Sequence, residues 1–434
     1  MPSSYITNTK ERSEMNLSRK PIQINEVIER IWEHHNPGMT EIVAIEDNTD
    51  RFLGEDIIAK TDVPAFDKSP YDGFALRAED TAWASSENRI EFEVIDKIGA
   101  GTVSHKRIGG LQAVRIMTGA PIPSGCDTVI MLELVKEIER DGKNFIQITR
   151  KLKKGDNISF RGEDIKSGTL LVRKGTKINP GIQSLLATFG YKKLAVMRKP
   201  KIGVLATGDE LLNVEEPLVP GKIRNSNSYM IVEQIKRSGA KAIHYGKIPD
   251  TFTATYDALH KAIAEVDMMI TIGGVSVGDY DYMPKVYEAL GADILCNKIA
   301  MRPGSVTTIA SLDGKLLYGL SGNPSACYVG FELFARPIIR HSLGSNKPFL
   351  KKVKAILDVD FPKANPFTRF VRSKLFTGGT QLFVAPIGMD KSNIIFSLAY
   401  ANCLMVLPGG TRGYKKGMEV EVLLLEDHEG SDLF

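Results

Sequence analysis

Between residues 201 and about 343 the chain alternates short apolar runs with amphipathic stretches, and no other feature limits its fold so strongly. The runs 202–206, 242–248 and 268–272 have the length and apolar content of buried strands. Helical patterns follow them, near 227–237, near 256–264 and in a third stretch ending at Leu290. Strand, helix and strand in succession make neighbouring strands parallel, because a crossover returns the chain to the same end of the sheet. The expectation is a doubly wound α/β domain with helices on both faces of a parallel sheet. Such sheets hold ligands at the carboxyl ends of their strands, where the strand order reverses.

The flanks read differently. The first 20 residues are rich in Ser, Asn, Thr and charge and read as a disordered extension. A helix begins at Ile24, with Val27, Ile28, Ile31 and Trp32 on one stripe, and Asn36, Pro37 and Gly38 stop it. Across 62–158 the runs 90–95, 113–117 and 144–148 alternate between Gly, Pro and Asp-Gly turns, the pattern of a small β module. A second helix follows, with Asn179 as cap, Pro180 in its first turn and Gly190 as its stop. These signals predict an elongated, helix-containing domain built from 21–61 and 159–197, with the β module 62–158 inserted into it. The α/β domain would span 198–344. Strand-like runs at 353–361, 369–376, 381–386, 402–407 and 419–425, with no helix signal after Ser345, then form a C-terminal β domain, 345–434.

At 434 residues the chain has room for several cores. Its net charge of +4 is spread out, apart from a basic cluster at 192–201 that reads as a solvated linker, so nucleic acid is not an expected partner. No apolar run approaches the roughly 18–20 residues that cross a bilayer, and the polar N-terminus lacks a signal-peptide core, so a soluble, cytoplasmic protein is expected. Four widely spaced cysteines form no CxxC pair and suggest neither a disulfide framework nor a zinc site.

Chemistry is expected in the loops after the α/β strands. Thr207-Gly208-Asp209-Glu210 follows the first, Asp250 the second, and Gly273-Gly274-Val275-Ser276-Val277-Gly278-Asp279-Tyr280-Asp281 the third. Carboxylates gathered at one edge repel one another unless a cation joins them. Hard oxygen ligands suit Mg²⁺, which bridges readily to phosphates. Gly273, Gly274 and Gly278 would let backbone amides approach an anion. Taken singly, each loop is also explained by helix capping or turn formation. Lys298 and Arg302 offer positive charge to an oxyanion or form a solvated pair. Ser321-Gly322-Asn323-Pro324 places Asn323 as a cap before an amphipathic segment, 326–339. In the β module, Asp72 and Thr118 lie in turn-rich segments that read as hairpin corners. Gly274-Val275-Ser276-Val277-Gly278 also fits G-x-S-x-G, with Ser276 as a hydrolase nucleophile. Against it, Asp279, Tyr280, Asp281 and Pro284 intervene before the helix, and the only downstream histidines are His341 and His428.

Six segments together resemble the MoeA family of molybdopterin molybdenumtransferases and the related gephyrin E domain: 62–75, 115–121, 161–165, 207–211, 273–282 and Gly322-Asn323-Pro324. The resemblance extends over about 21–426 and keeps the family's order. It implies a homodimer of four-domain subunits that inserts molybdate into adenylylated molybdopterin with Mg²⁺, releasing AMP. By motif, Glu210, Asp250 and Asp281 would be the acidic residues around the metal and phosphates, with Lys298 and Arg302 on the anionic side. Gly273, Gly274, Ser276, Gly278, Ser305, Ser321 and Asn323 would contact substrate. Asp72 and Thr118 match positions implicated in activity and are expected to reach the α/β crevice of the other subunit. The implied partners are molybdopterin adenylyltransferase and acceptor molybdoenzymes. Many members carry Lys-Pro-Gly-Lys-Pro; this chain has Arg302-Pro303-Gly304-Ser305-Val306, keeping the first charge and lacking the second. Ser321 stands where many have proline. The rival readings are an adenylyltransferase, which lacks the extra domains, and a non-enzymatic scaffold of the gephyrin type.

Overall fold

The computed structural model describes residues 20–275 and 282–425. They form two compact units. One takes in the described residues up to Glu55, Lys174–Asn179 and the described residues from Lys193 on; the other comprises Asp56–Arg173 and Pro180–Lys192.

The first unit is built on a six-stranded sheet: β1 (Lys201–Thr207), β2 (Lys241–Ile248), β3 (Met268–Ile272), β4 (Asp293–Cys296), β5 (Thr308–Leu312) and β6 (Lys315–Leu320), in the order β2-β1-β3-β6-β5-β4. Strands β2, β1, β3 and β6 are parallel, as the alternating pattern requires. The other two depart from the all-parallel expectation. β5 runs antiparallel to β6, and β4 antiparallel to β5. The cause is local. Asp313 and Gly314 join β5 to β6 with φ of 49° and 75°, the paired left-handed conformation of a two-residue hairpin, which leaves no room for a crossover. Along β1, Ile202, Val204 and Ala206 face one core, shared with Ile231 and Ile235 of the helix Ser226–Arg237. Leu205 faces the other, shared with Leu259 and Ile263 of Phe252–Glu265. Period-two alternation with both faces buried is what helices on each side of a sheet demand.

The helix Ile24–Glu33 sinks Val27 and Ile31 into the first of these cores, and Arg30 Nη1 donates to Leu295 O at 2.7 Å. At its C-terminal end Trp32, His35 and His341 form an aromatic cluster, with the two imidazole centroids 5.0 Å apart. Burial, and then the neighbouring His341, push the His35 imidazole down to about 4. Below its ordinary value of 6.5 the unfolded chain therefore gains a proton that the folded chain refuses. Urea stability should be full above that pH and decline as pH falls toward 4, and His35→Phe should flatten the decline. Parallel curves for the two proteins would contradict this.

The basic cluster is not a linker. Lys193–Met197 is a strand paired antiparallel with Thr40–Ala44, with Leu194 and Val196 buried and Lys193 exposed, and it leads directly into β1. Charged residues alternating with apolar ones are the pattern of a half-buried strand.

The C-terminal strands Lys352–Leu357, Thr368–Gly378, Gln381–Pro386, Cys403–Leu407 and Glu419–Leu424 close on themselves, because Thr368–Gly378 pairs with both Gln381–Pro386 and Cys403–Leu407. Closure removes free edges. A five-residue helix, Phe396–Tyr400, interrupts the expected all-β run. The short strand Met301–Arg302 leaves the α/β domain to join this sheet, parallel to Thr368–Gly378.

The second unit carries a six-stranded sheet, whose members in spatial order are Thr128–Met131, Gly73–Leu76, Gln112–Ile116, Ile90–Ile98, Lys143–Ile148 and Lys136–Arg140. Separate apolar clusters cover its two faces. The helix Pro180–Thr188 belongs to the same unit and ends at Gly190, whose φ is 68°. Among the described residues, no helix is long and apolar enough to cross a membrane.

Candidate functional site

In the α/β sheet the chain passes from β1 to β2 on one side and returns to β3 on the other, so the order reverses between β1 and β3. Their carboxyl ends meet closely. A Cβ on Gly273, whose φ is 98°, would lie 2.5 Å from the Thr207 carbonyl oxygen, so only glycine lets the two loops approach. The Thr207 hydroxyl, buried beside Gly274, has no hydrogen-bond partner among the described residues.

The acidic loops are neighbours at this edge. The Asp250 N–H donates to Asp209 Oδ1 at 3.2 Å, which joins the β1 and β2 loops. Glu210 is exposed, with its carboxylate folded over Gly208. Ser276, Gly278 and Asp281 lie outside the described residues. Among the described residues, no group of three His, Cys, Asp or Glu side chains is arranged to hold a metal. Glu210 and Asp250 nevertheless supply exposed or half-buried hard oxygens from adjoining loops. That donor set fits a largely hydrated Mg²⁺, which commonly takes one or two carboxylates plus substrate phosphates.

A cavity of about 310 Å³ opens where the α/β domain meets the barrel. Arg302, Ser305, Ser321 and Asn323 line it from one side; Arg369, Asp390, Lys391 and Ser392 line it from the other. The strand Met301–Arg302 sets the geometry by placing Arg302 in register with Arg369. Like charges at paired strand positions destabilise a sheet unless an anion lies between or beside them. For Arg369 that anion is Asp390, whose Oδ2 is 2.6 Å from Nη1, while Nε donates to Asn365 Oδ1 at 2.6 Å. Arg302 is exposed, and among the described residues no carboxylate pairs with it.

The other proposed contacts sort themselves around this cavity. Ser321 Oγ accepts from the Asn323 N–H at 3.2 Å. Asn323 holds the N-cap position of the helix Pro324–Gly330, but its side chain makes no capping bond. The Ser325 N–H donates instead to Ser392 O at 3.0 Å, pinning the barrel loop to the helix start. Lys298 lies outside the lining, and its carbonyl accepts from the Ile22 N–H. Arg369, Asp390, Lys391 and Ser392 escaped the sequence reading, which gave the C-terminal domain no site residue. No local motif marks them, since their place depends on strand register. His341, one of the two bases considered for a hydrolase, packs on Trp32 at 4.5 Å between ring centroids; His428 lies outside the described residues.

In the second unit Asp72 and Thr118 do come together, because Gly73 and Ile116 are register partners and the two residues lie just beyond that pair. Both the Thr118 N–H, at 2.7 Å, and its hydroxyl, at 2.8 Å, donate to Asp72 Oδ1. The backbone bond, followed by the hydroxyl bond, holds the Asp72 carboxyl below its ordinary 3.8. That stabilisation is complete above the ordinary value and is lost as pH falls through the depressed one. In Thr118→Val the Asp72 carboxyl should titrate higher than in the native chain yet still below 3.8, because the backbone donor remains. A carbon-detected NMR titration reads this directly, and an unmoved midpoint would remove the hydroxyl as a partner.

Comparison with known proteins agrees with these regions. Residues 22–190 match the MoeA N-terminal region (domain I and II), residues 203–341 a probable molybdopterin binding domain, and residues 354–425 the MoeA C-terminal region (domain IV). The chain is 54% identical to the molybdopterin molybdenumtransferase of Bacillus subtilis, covering 95% of this chain and 96% of that one. It is 49% identical to that of Staphylococcus epidermidis, covering 94% and 97%. The crystal structure of the molybdopterin biosynthesis MoeA protein from Pyrococcus horikoshii superposes with a TM-score of 0.83 at 30% identity, covering 94% of this chain and all of that one.

Proposed function

Because the chain belongs to the MoeA family of molybdopterin molybdenumtransferases, and is thus an enzyme of molybdenum-cofactor biosynthesis, we propose that it inserts molybdate into adenylylated molybdopterin in a Mg²⁺-dependent reaction that releases AMP. The observation that carries this reading is the register pairing of Arg302 with Arg369 at the mouth of a polar cavity. Two guanidiniums lining one cavity offer charge-assisted hydrogen bonds to a tetrahedral dianion. Ser305 and Asn323 line the same cavity and can supply neutral hydrogen bonds.

At the strand-order reversal, Gly273 and Gly274 pack against Thr207, and glycine-rich turns of this kind let backbone amides approach a phosphate group. Glu210 and Asp250 would hold the Mg²⁺. When bound, it neutralises phosphate charge during cleavage of the link to AMP. The Asp72–Thr118 pair keeps one carboxylate ionised and fixed in direction, as a group that orients substrate must be. In this reading the protein works as a homodimer, receives its substrate from molybdopterin adenylyltransferase and passes the product to acceptor molybdoenzymes.

The test is AMP release from adenylylated molybdopterin and Mg²⁺, with and without molybdate, coupled to activation of an apo-molybdoenzyme. Molybdate-dependent release with activation is the expected result. Tight binding without release would favour a scaffold, and no binding would overturn the assignment.

A further inference from the structure

We infer that Asp390 is a built-in counter-anion that competes with the incoming oxyanion for Arg369 and so sets which oxyanion charge the cavity retains. The inference rests on the reading of that cavity as the oxyanion site. The Asp390 side chain is only 6% exposed, and it lines the cavity together with the guanidinium it neutralises. Its Oδ2 lies 2.6 Å from Arg369 Nη1 and 3.5 Å from Lys363 Nζ, and Lys363 also donates to the Asp390 carbonyl at 2.6 Å. Asp390 is therefore anchored through backbone and side chain, and its carboxylate has little freedom to swing out to water.

The charge count in the cavity follows from its lining. Among the lining side chains Arg302, Arg369 and Lys391 are three cations and Asp390 one anion, a net +2 before Lys363, which contacts Asp390 from outside the lining, is added. With Asp390 neutral the count would be +3. An acid next to an anion site costs binding energy in proportion to the ligand's charge. Its effect is accordingly twice as large, in free energy, on a dianion as on a monoanion of the same shape. A purely structural role, tying the loop that carries Ser392 to the barrel, would change both ligands by the same factor.

Asp390→Asn keeps the size and an acceptor for Arg369 while removing the charge. Tungstate and perrhenate are tetrahedral oxyanions of similar size carrying two charges and one. Calorimetric titration of the full-length protein with each is expected to show perrhenate binding about ten-fold more tightly to Asp390→Asn than to the native chain, and tungstate about a hundred-fold more tightly, the square of that factor. Asp390→Glu, which retains the charge, should keep the native tungstate-to-perrhenate ratio. Equal factors for the two ions, or unchanged or weaker binding, would overturn the counter-anion role. If the native protein binds neither ion, or Arg302→Met binds tungstate as the native chain does, the oxyanion-site reading itself falls. Should thermal unfolding show that Asp390→Asn does not fold, Asp390→Ser is judged by the same ratio.

Discussion

Replacing Arg302 by methionine should weaken molybdate binding by about two orders of magnitude and leave the melting temperature nearly unchanged. Arg302 is exposed and has no carboxylate partner among the described residues, so its guanidinium contributes little to the fold. Methionine preserves most of the apolar stem. Its positive charge also stands in register with Arg369, and removing it relieves a repulsion in the ligand-free protein. In the complex the balance reverses. A charge-assisted hydrogen bond is worth roughly 1.5–3 kcal/mol, and a two-pronged contact near the upper end of that range corresponds to about a hundred-fold in affinity. The loss should appear as a raised KM for molybdate with the affinity for adenylylated molybdopterin intact. An affinity within a factor of about three of the native value would remove Arg302 from the oxyanion site.

Arg302 also shows where the sequence was legible and where it was not. The local pattern around it, a charged residue before Pro303 and Gly304 after a short strand, marks it as a candidate. Its partner Arg369 is invisible in the same way, because parallel register between segments far apart in the chain is set by the packing of two domains. Lys298, flagged by the same run of residues, stays out of the cavity. The helix Ile24–Glu33 was readable because it buries one periodic face, and strands β1 and β3 because burial of both faces leaves short continuous apolar runs. The β5–β6 hairpin was written in Asp313-Gly314, but inside a βαβ rhythm that turn is easily passed over. Asp72 and Thr118 were readable as turn residues; the bond between them follows from the pairing of Gly73 with Ile116.

Glu332→Ala should cost the first unit about 3–5 kcal/mol, the range expected when a buried ion pair loses one partner. Glu332 sits in the π-helical turn Phe331–Ala335 with a fully buried side chain. Its Oε1 accepts from Gln234 Nε2 at 2.7 Å and from Arg237, and Arg336 Nε lies 3.6 Å from Oε2. One carboxylate thus ties the helix Ser226–Arg237 to the helical run that begins at Pro324, whose Ala326 lines the cavity. Without it Arg237, at 26% exposure, can turn toward water, whereas Arg336, at 7%, cannot. Hydrogen exchange of the amides in Ser226–Arg237 is the suitable readout, because a chain with two compact units need not unfold in one transition. Stranded charge and lost packing are then separable. A Glu332→Leu, Arg336→Met double variant removes both charges and refills the space, so protection should return most of the way to native. If it stays as low as in Glu332→Ala, the network's contribution lies in the shape of the carboxylate's hydrogen bonds across the two helices rather than in the charge it neutralises.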